Sequence, residues 1–120
     1  MHEMGIAQNI LEIVQQAVPE DQAAAVKRIR VRAGQLSGVV PESLHFCFSV
    51  IVAETTLKNA DLEIEQVPTL ARCRDCMHQF LMEDLDFICP SCQNTNLELI
   101  SGKELEVVDI ELSEENEGAL

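Results

Sequence analysis

Residues 73–92 read "CRDCMHQFLMEDLDFICPSC", and the spacing of their four cysteines decides the architecture. Cys73 and Cys76 form one CxxC pair, Cys89 and Cys92 a second, with twelve residues between the pairs. Each CxxC sets two sulfurs on one tight turn. Two such knuckles facing each other place four thiolates around a single ion at roughly 2.3 Å, the coordination of a closed, structural zinc site. Four thiolates also suit iron. Rubredoxin-like iron knuckles, however, usually carry glycine soon after their cysteines, where this chain has Met77 and Gln93. A pair of redox dithiols is the remaining alternative. The fifth cysteine, Cys47, stands apart within "ESLHFCFSVIV" (residues 42–52) and reads as a small core residue. An odd cysteine count without a secretion leader argues against a disulfide scaffold.

Outward from this module the chain reads as α/β. Residues 4–18, "MGIAQNILEIVQQAV", place Ile6, Ile10, Ile13 or Val14, and Ala17 at helical spacing, and Pro19 closes the run. Residues 27–36, "KRIRVRAGQL", alternate: Ile29, Val31 and Ala33 face one way, Arg28, Arg30 and Arg32 the other. In so acidic a chain the arginine row is either a solvated face or a set of partners for carboxylates across a sheet. "SGVVPES" (37–43) is a turn leading into a helix with Pro41 at its first position. Leu44, Cys47, Phe48, Ile51 and Val52 share a face of that helix, and Phe46 and Val50 widen it, which predicts deep burial. "DLEIEQV" (61–67) is a strand with Leu62 and Ile64 inward. "FLM" and "NLELI" give the cysteine module short hairpin strands. In "ELEVVDIEL" (104–112) the apolar parity changes between Val107 and Val108, which calls for a bulge near Val107.

The predicted fold is α/β, of α+β-like character. Two helices cover a three-stranded sheet of residues 27–36, 61–67 and 104–112, with a zinc ribbon inserted between its last two strands. The corresponding division is residues 1–69 with 99–113 as one discontinuous domain, 70–98 as the zinc-binding domain, and 114–120 as an acidic disordered tail. Because the 104–112 strand reaches its place only after the excursion through the ribbon, a swapped homodimer is also open.

Composition limits the function. The 120 residues carry a formal charge of -13 with eight Lys and Arg, and contain no Trp or Tyr. Nucleic-acid affinity depends on basic residues that neutralise phosphates, so that class is excluded. No apolar run approaches the ~18 residues of a membrane span, and no leader peptide is evident, which together predict a cytoplasmic protein. The acidity suits a cationic partner or a metal cargo, and equally plain solubility. There is no nucleophile elbow, phosphate loop or paired acid and base, so an enzyme is not expected. His45 reads as structural. His78, just past the first knuckle, is placed to shield the metal or bond a sulfur. A zinc-ribbon interaction adaptor is the competing class, but it predicts a basic or aromatic surface that the composition lacks.

The chain opens "MHE". Methionine aminopeptidases require a small second residue, so His2 protects Met1. The Met1 amine, the His2 amide nitrogen and the His2 imidazole can then close a five-membered and a six-membered chelate ring on one ion, a donor set suited to Ni2+ or Cu2+. The plain alternative is an idle terminal histidine. Glu3, through its amide or carboxylate, is the first candidate for a fourth position, and His78 the second.

The opening "MHEMGIAQNILEIV", the stretch "IRVRAGQLSGVVPESLHFCF", the CRDC and CPSC pairs and the closing "LEVVDIEL" occur together and in order, and in this the chain resembles the HypA/HybF hydrogenase maturation nickel chaperones over nearly its whole length. The resemblance implies an α/β nickel-binding domain with an inserted structural zinc domain. It implies nickel at His2 with Glu3 as a ligand or tuning residue, and zinc at Cys73, Cys76, Cys89 and Cys92. It further implies a HypB-type GTPase as partner and the large subunit of a [NiFe]-hydrogenase as receiver of the nickel. Met4-Gly5 after "MHE" departs mildly from the family, where an aromatic or larger aliphatic residue is common.

Overall fold

The computed structural model describes residues 3–83 and 86–113; Met1, His2 and the expected acidic tail at 114–120 lie outside them. Helix α1 spans Glu3–Ala17, strand β1 Val26–Gly34, helix α2 Pro41–Val52 and strand β2 Asp61–Val67. Strands β3 (Leu70–Cys73), β4 (Gln79–Leu81) and β5 (Leu97–Ser101) follow, and β6 (Leu105–Leu112) ends the described chain. Two three-stranded sheets result, ordered β2-β1-β6 and β4-β3-β5. The strands of the second sheet fall between β2 and β6 in sequence, as the insertion reading expects.

β1 is the centre of the first sheet. It runs parallel to β2, with Ile29 opposite Leu62 and Val31 opposite Ile64. A parallel neighbour needs a crossover, and α2 supplies it. β1 is antiparallel to β6, and the register jumps between Arg30↔Asp109 and Val31↔Val107. The residue left over is Val108. That bulge lets both Val107 and Ile110 pack against the core although they have opposite parity. Ile29, Val31, Leu62, Ala7, Ile10, Val14, Leu44, Phe48 and Val52 form the interior between sheet and helices.

The other face of the sheet carries the arginine row. Arg28 pairs with Glu111 at 3.0 Å and Glu63 at 3.9 Å, and Arg32 with Glu65 and Glu106, both at 3.4 Å. Arg30 Nε donates to Asp109 Oδ1 at 2.9 Å, and this guanidinium holds the Asp109 carboxyl below its ordinary range. Exposed pairs of this kind each contribute little to stability. Their effect is on register, because a slip of one residue would set the arginines against the core.

The helical layer corrects one expectation. Phe46 is 67% exposed and Val50 50%, so they do not widen the buried face of α2. His45 is also on the surface, with Nε2 3.7 Å from Asp61 Oδ1. Cys47 packs partly buried against the core, as read.

Where the two sheets meet, the backbones are in direct contact. Gly34 N–H donates to the Glu104 carbonyl and Leu36 N–H to the Gly102 carbonyl, both at 2.7 Å. Thr69 is fully buried. Its Oγ1 donates to Gln35 Oε1 at 2.8 Å, and its own N–H to the same oxygen at 3.3 Å. A Cβ on Gly34 would come within 2.0 Å of the Gly102 carbonyl oxygen, a backbone atom that cannot swing aside. β1 ends here for that reason, two residues short of the sequence expectation. Gly34→Ala is expected to cost roughly 2 kcal/mol or more, the range of overpacking against unyielding neighbours. Chemical denaturation would show it as a lower midpoint, and an unchanged midpoint would mean that the junction gives way easily.

Candidate metal centre

Both knuckles are built by the same hydrogen bonds. In the first, Cys73 N–H donates to the His78 carbonyl at 2.9 Å and Met77 N–H to the Cys73 carbonyl at 2.8 Å. In the second, Cys89 N–H donates to the Asn94 carbonyl at 2.9 Å and Gln93 N–H to the Cys89 carbonyl at 2.8 Å. The residue after each second cysteine turns left-handed, Met77 at φ 68° and Gln93 at φ 66°. These are the positions where glycine is commonest, since a side chain is disfavoured there. The two CxxC segments are therefore one turn used twice. β3 ends in Cys73 and pairs with both β4 and β5, so the short sheet carries the first knuckle and fixes the second beside it through Arg74 N–H to the Asn96 carbonyl at 2.9 Å.

Four sulfurs converge between these turns. The ligand atoms of Cys73, Cys76, Cys89 and Cys92 all lie within 4.8 Å of one another. Cys73 Sγ is 3.5 Å from Cys92 Sγ, and Cys76 Sγ 3.6 Å from Cys89 Sγ. All four are free thiols, and these separations are far beyond a disulfide bond. Four sulfurs at about 2.3 Å from one ion stand about 3.8 Å apart in a tetrahedron, so the arrangement fits a four-coordinate thiophilic ion such as Zn2+. Cys73 and Cys89 are buried and Cys76 and Cys92 exposed.

The local field prepares one thiol for ionisation. Burial pushes Cys89 up, but N–H groups of Cys92 and Ser91 and the thiols of Cys76 and Cys92 outweigh it and bring Cys89 down to about 7. Ser91 N–H lies 3.4 Å from that sulfur. The N–H of Asn94 pulls Cys92 down, yet burial and the three other thiols push it up to about 12. Crowded sulfurs cannot all ionise alone, and a divalent cation at the centre removes that conflict. His78 stands aside from the cluster. Its ring stacks on Phe80, with centroids 5.9 Å apart and planes at 14°.

In the helical layer, Glu3 opens α1, and its Oε2 accepts the Val40 N–H at 3.3 Å. No sequence pattern signals this contact, which joins residues far apart in the chain. Nor was β3 anticipated: "LARC" is four residues long, too short for a period to be read.

A family model described as hydrogenase/urease nickel incorporation, metallochaperone, HypA matches residues 1–112. The hydrogenase maturation factor HypA of Desulfosudis oleivorans is 44% identical over 115 residues, covering 95% of this chain and all of that protein. The HypA of Desulfatibacillum aliphaticivorans is 42% identical over 118 residues, covering 98% of this chain and 91% of its own. The solution structure of the nickel metallochaperone HypA from Helicobacter pylori shares the fold, with a TM-score of 0.64 at 23% identity over 94% of this chain and 98% of that one. Among the described residues, no helix is long and apolar enough to cross a membrane.

Proposed function

The chain belongs to the HypA family of hydrogenase/urease nickel-incorporation metallochaperones, and from that premise we propose that it carries Ni2+ at its N-terminus and delivers it for the maturation of a [NiFe]-hydrogenase. The donors are the Met1 amine, the His2 amide nitrogen and the His2 imidazole, with Glu3 beside them. Zn2+ at Cys73, Cys76, Cys89 and Cys92 is structural. The receiver is the hydrogenase large subunit, and a HypB-type GTPase is the partner in the handover. The chain works as a maturation factor in the cytoplasm, not as a catalyst. The β2-β1-β6 sheet with its helices acts as the nickel-binding unit, and the β4-β3-β5 sheet, whose last strand runs on past residue 98 to Ser101, as the zinc-binding one.

The observation that carries this reading is the extent of the family match, which starts at residue 1 and so includes "MHE". Chemistry supports the division of labour. A four-thiolate site closes around its ion and offers no open position. A carrier must instead release its metal on contact with a receiver, and donors at a chain end can be exchanged one at a time without disturbing a core. Binding displaces protons from the amine and the imidazole, so nickel affinity falls with pH. Copper binds nitrogen donors more tightly by the usual order of divalent ions, and partner contacts with metal supply must decide which ion is carried.

Nickel titration of the untagged protein tests the reading. His2→Ala should abolish high-affinity nickel binding and leave zinc content and helical circular dichroism unchanged. Native-like nickel binding by His2→Ala would place the site elsewhere.

A further inference from the structure

Helix α2 begins without a cap of its own. Its N-cap residue is Val40, whose side chain has no oxygen to offer, and Pro41 at the first helical position has no N–H. The Val40 carbonyl accepts the Leu44 N–H at 3.0 Å. The Val40 N–H donates to Glu3 Oε2 at 3.3 Å, across 37 positions of sequence. A carboxylate from the first turn of α1 thus supplies both the acceptor and the negative charge that the start of a helix favours. The residue immediately before that carboxylate's own is His2.

We propose that Glu3 is a positioning residue for nickel: its bond to the Val40 N–H clamps the metal-binding end of the chain to the start of α2, so that nickel binds more tightly and leaves more slowly while the clamp holds. This inference rests on the nickel reading of His2. A chain end must gather its donors from many conformations, and restricting it beforehand lowers that cost. With Glu3 held, less of that cost is left to be met when the ion binds. A donor that detaches also stays near the metal and rebinds before the next one leaves. Val40 is 49% exposed, so a receiving protein can reach this corner. One that draws off the Val40 N–H or displaces Pro41 would open the clamp and shorten the residence of nickel where the metal is wanted.

The test is the rate at which a colour-forming chelator removes nickel from the loaded, untagged, full-length protein. Val40→Pro deletes the N–H without altering residues 1–3, whereas Val40→Ala keeps it. Val40→Pro is expected to lose nickel roughly three- to tenfold faster than the native chain, the effect of one exposed hydrogen bond, with zinc content unchanged. Val40→Ala is expected to match the native rate. A native rate for Val40→Pro would overturn the clamp, and so would equal acceleration by both variants. Should Val40→Pro fail to fold, hydrogen exchange in the native protein decides. Coupling in binding free energy is reciprocal, so nickel loading should slow exchange of the Val40 amide, and no change on loading would overturn the proposal. The parent reading fails separately: nickel retained by His2→Ala removes the site, whereas nickel lost by His2→Ala but released from Val40→Pro at the native rate removes only the clamp.

Discussion

Removing the ion from the four-thiolate centre is expected to dissolve the β3–β4–β5 sheet while α1 and α2 persist. The two sheets have very different means of support. The first is backed by two helices and a continuous apolar interior that includes Ile10, Val14, Ile29, Leu44 and Phe48. The second has strands of four, three and five residues. Its buried residues are Thr69, Ala71, Cys73, Met82 and Cys89, and two of these are metal donors. So small an apolar set cannot offset the conformational entropy of some thirty residues at about 1–2 kcal/mol each. In small modules of this kind the free energy of binding structural zinc is free energy of folding. Cys89→Ser should therefore lose the zinc and the dispersed amide signals of residues 70–101, with most helical circular dichroism retained. Cys47→Ser, half-buried and outside the cluster, should keep the zinc. A module that stays folded in excess chelator would show that the metal is not its support.

Legibility followed the range of the interactions involved. β1 could be read because one residue type alternates with another over its length, and the structure puts Ile29 and Val31 inside and Arg28 and Arg30 among carboxylates. The bulge at Val108 was visible as a change of parity before any partner strand was known. The metal cluster was visible because its donors come as two short repeats of one turn. The exposure of Phe46 and Val50 is not legible because apolar character does not specify what covers a side chain. A single helical layer on a three-stranded sheet has only one inner face, and Leu44, Phe48 and Val52 already fill it. Thr69 with Gln35, and Glu3 with Val40, are single contacts between distant segments. No period or spacing encodes such a contact, since each depends on where the whole fold brings two backbones together.

An uncleaved extension ahead of Met1 is expected to weaken nickel binding at least about a hundredfold while leaving His2 in place, a larger loss than the ~10–100-fold typical of removing a supporting partner outside the ligand set. The reason is covalent. Extension converts the Met1 amine into an amide, which removes its basic lone pair and breaks the five-membered chelate ring that the amine shares with the His2 nitrogen. Only the six-membered ring of the His2 amide and imidazole is then left, without a basic amine to anchor the ion while that amide gives up its proton. Folding should be indifferent, because α1 begins at Glu3 and its buried residues are Ala7, Ile10 and Val14. Spectroscopy adds a second readout. Nitrogen donors in a plane give a diamagnetic Ni2+ complex with a visible absorption band, and residual nickel on the extended chain should instead be paramagnetic. Titrating the native, extended and His2→Ala proteins side by side separates the cases. Weak binding by both variants assigns the amine and the imidazole together. Native-like binding by the extended chain, with none by His2→Ala, would leave His2 as a ligand and remove the amine. Native-like binding by both would move the site off the N-terminus, and the acidic surface of the chain would then be the place to look for it.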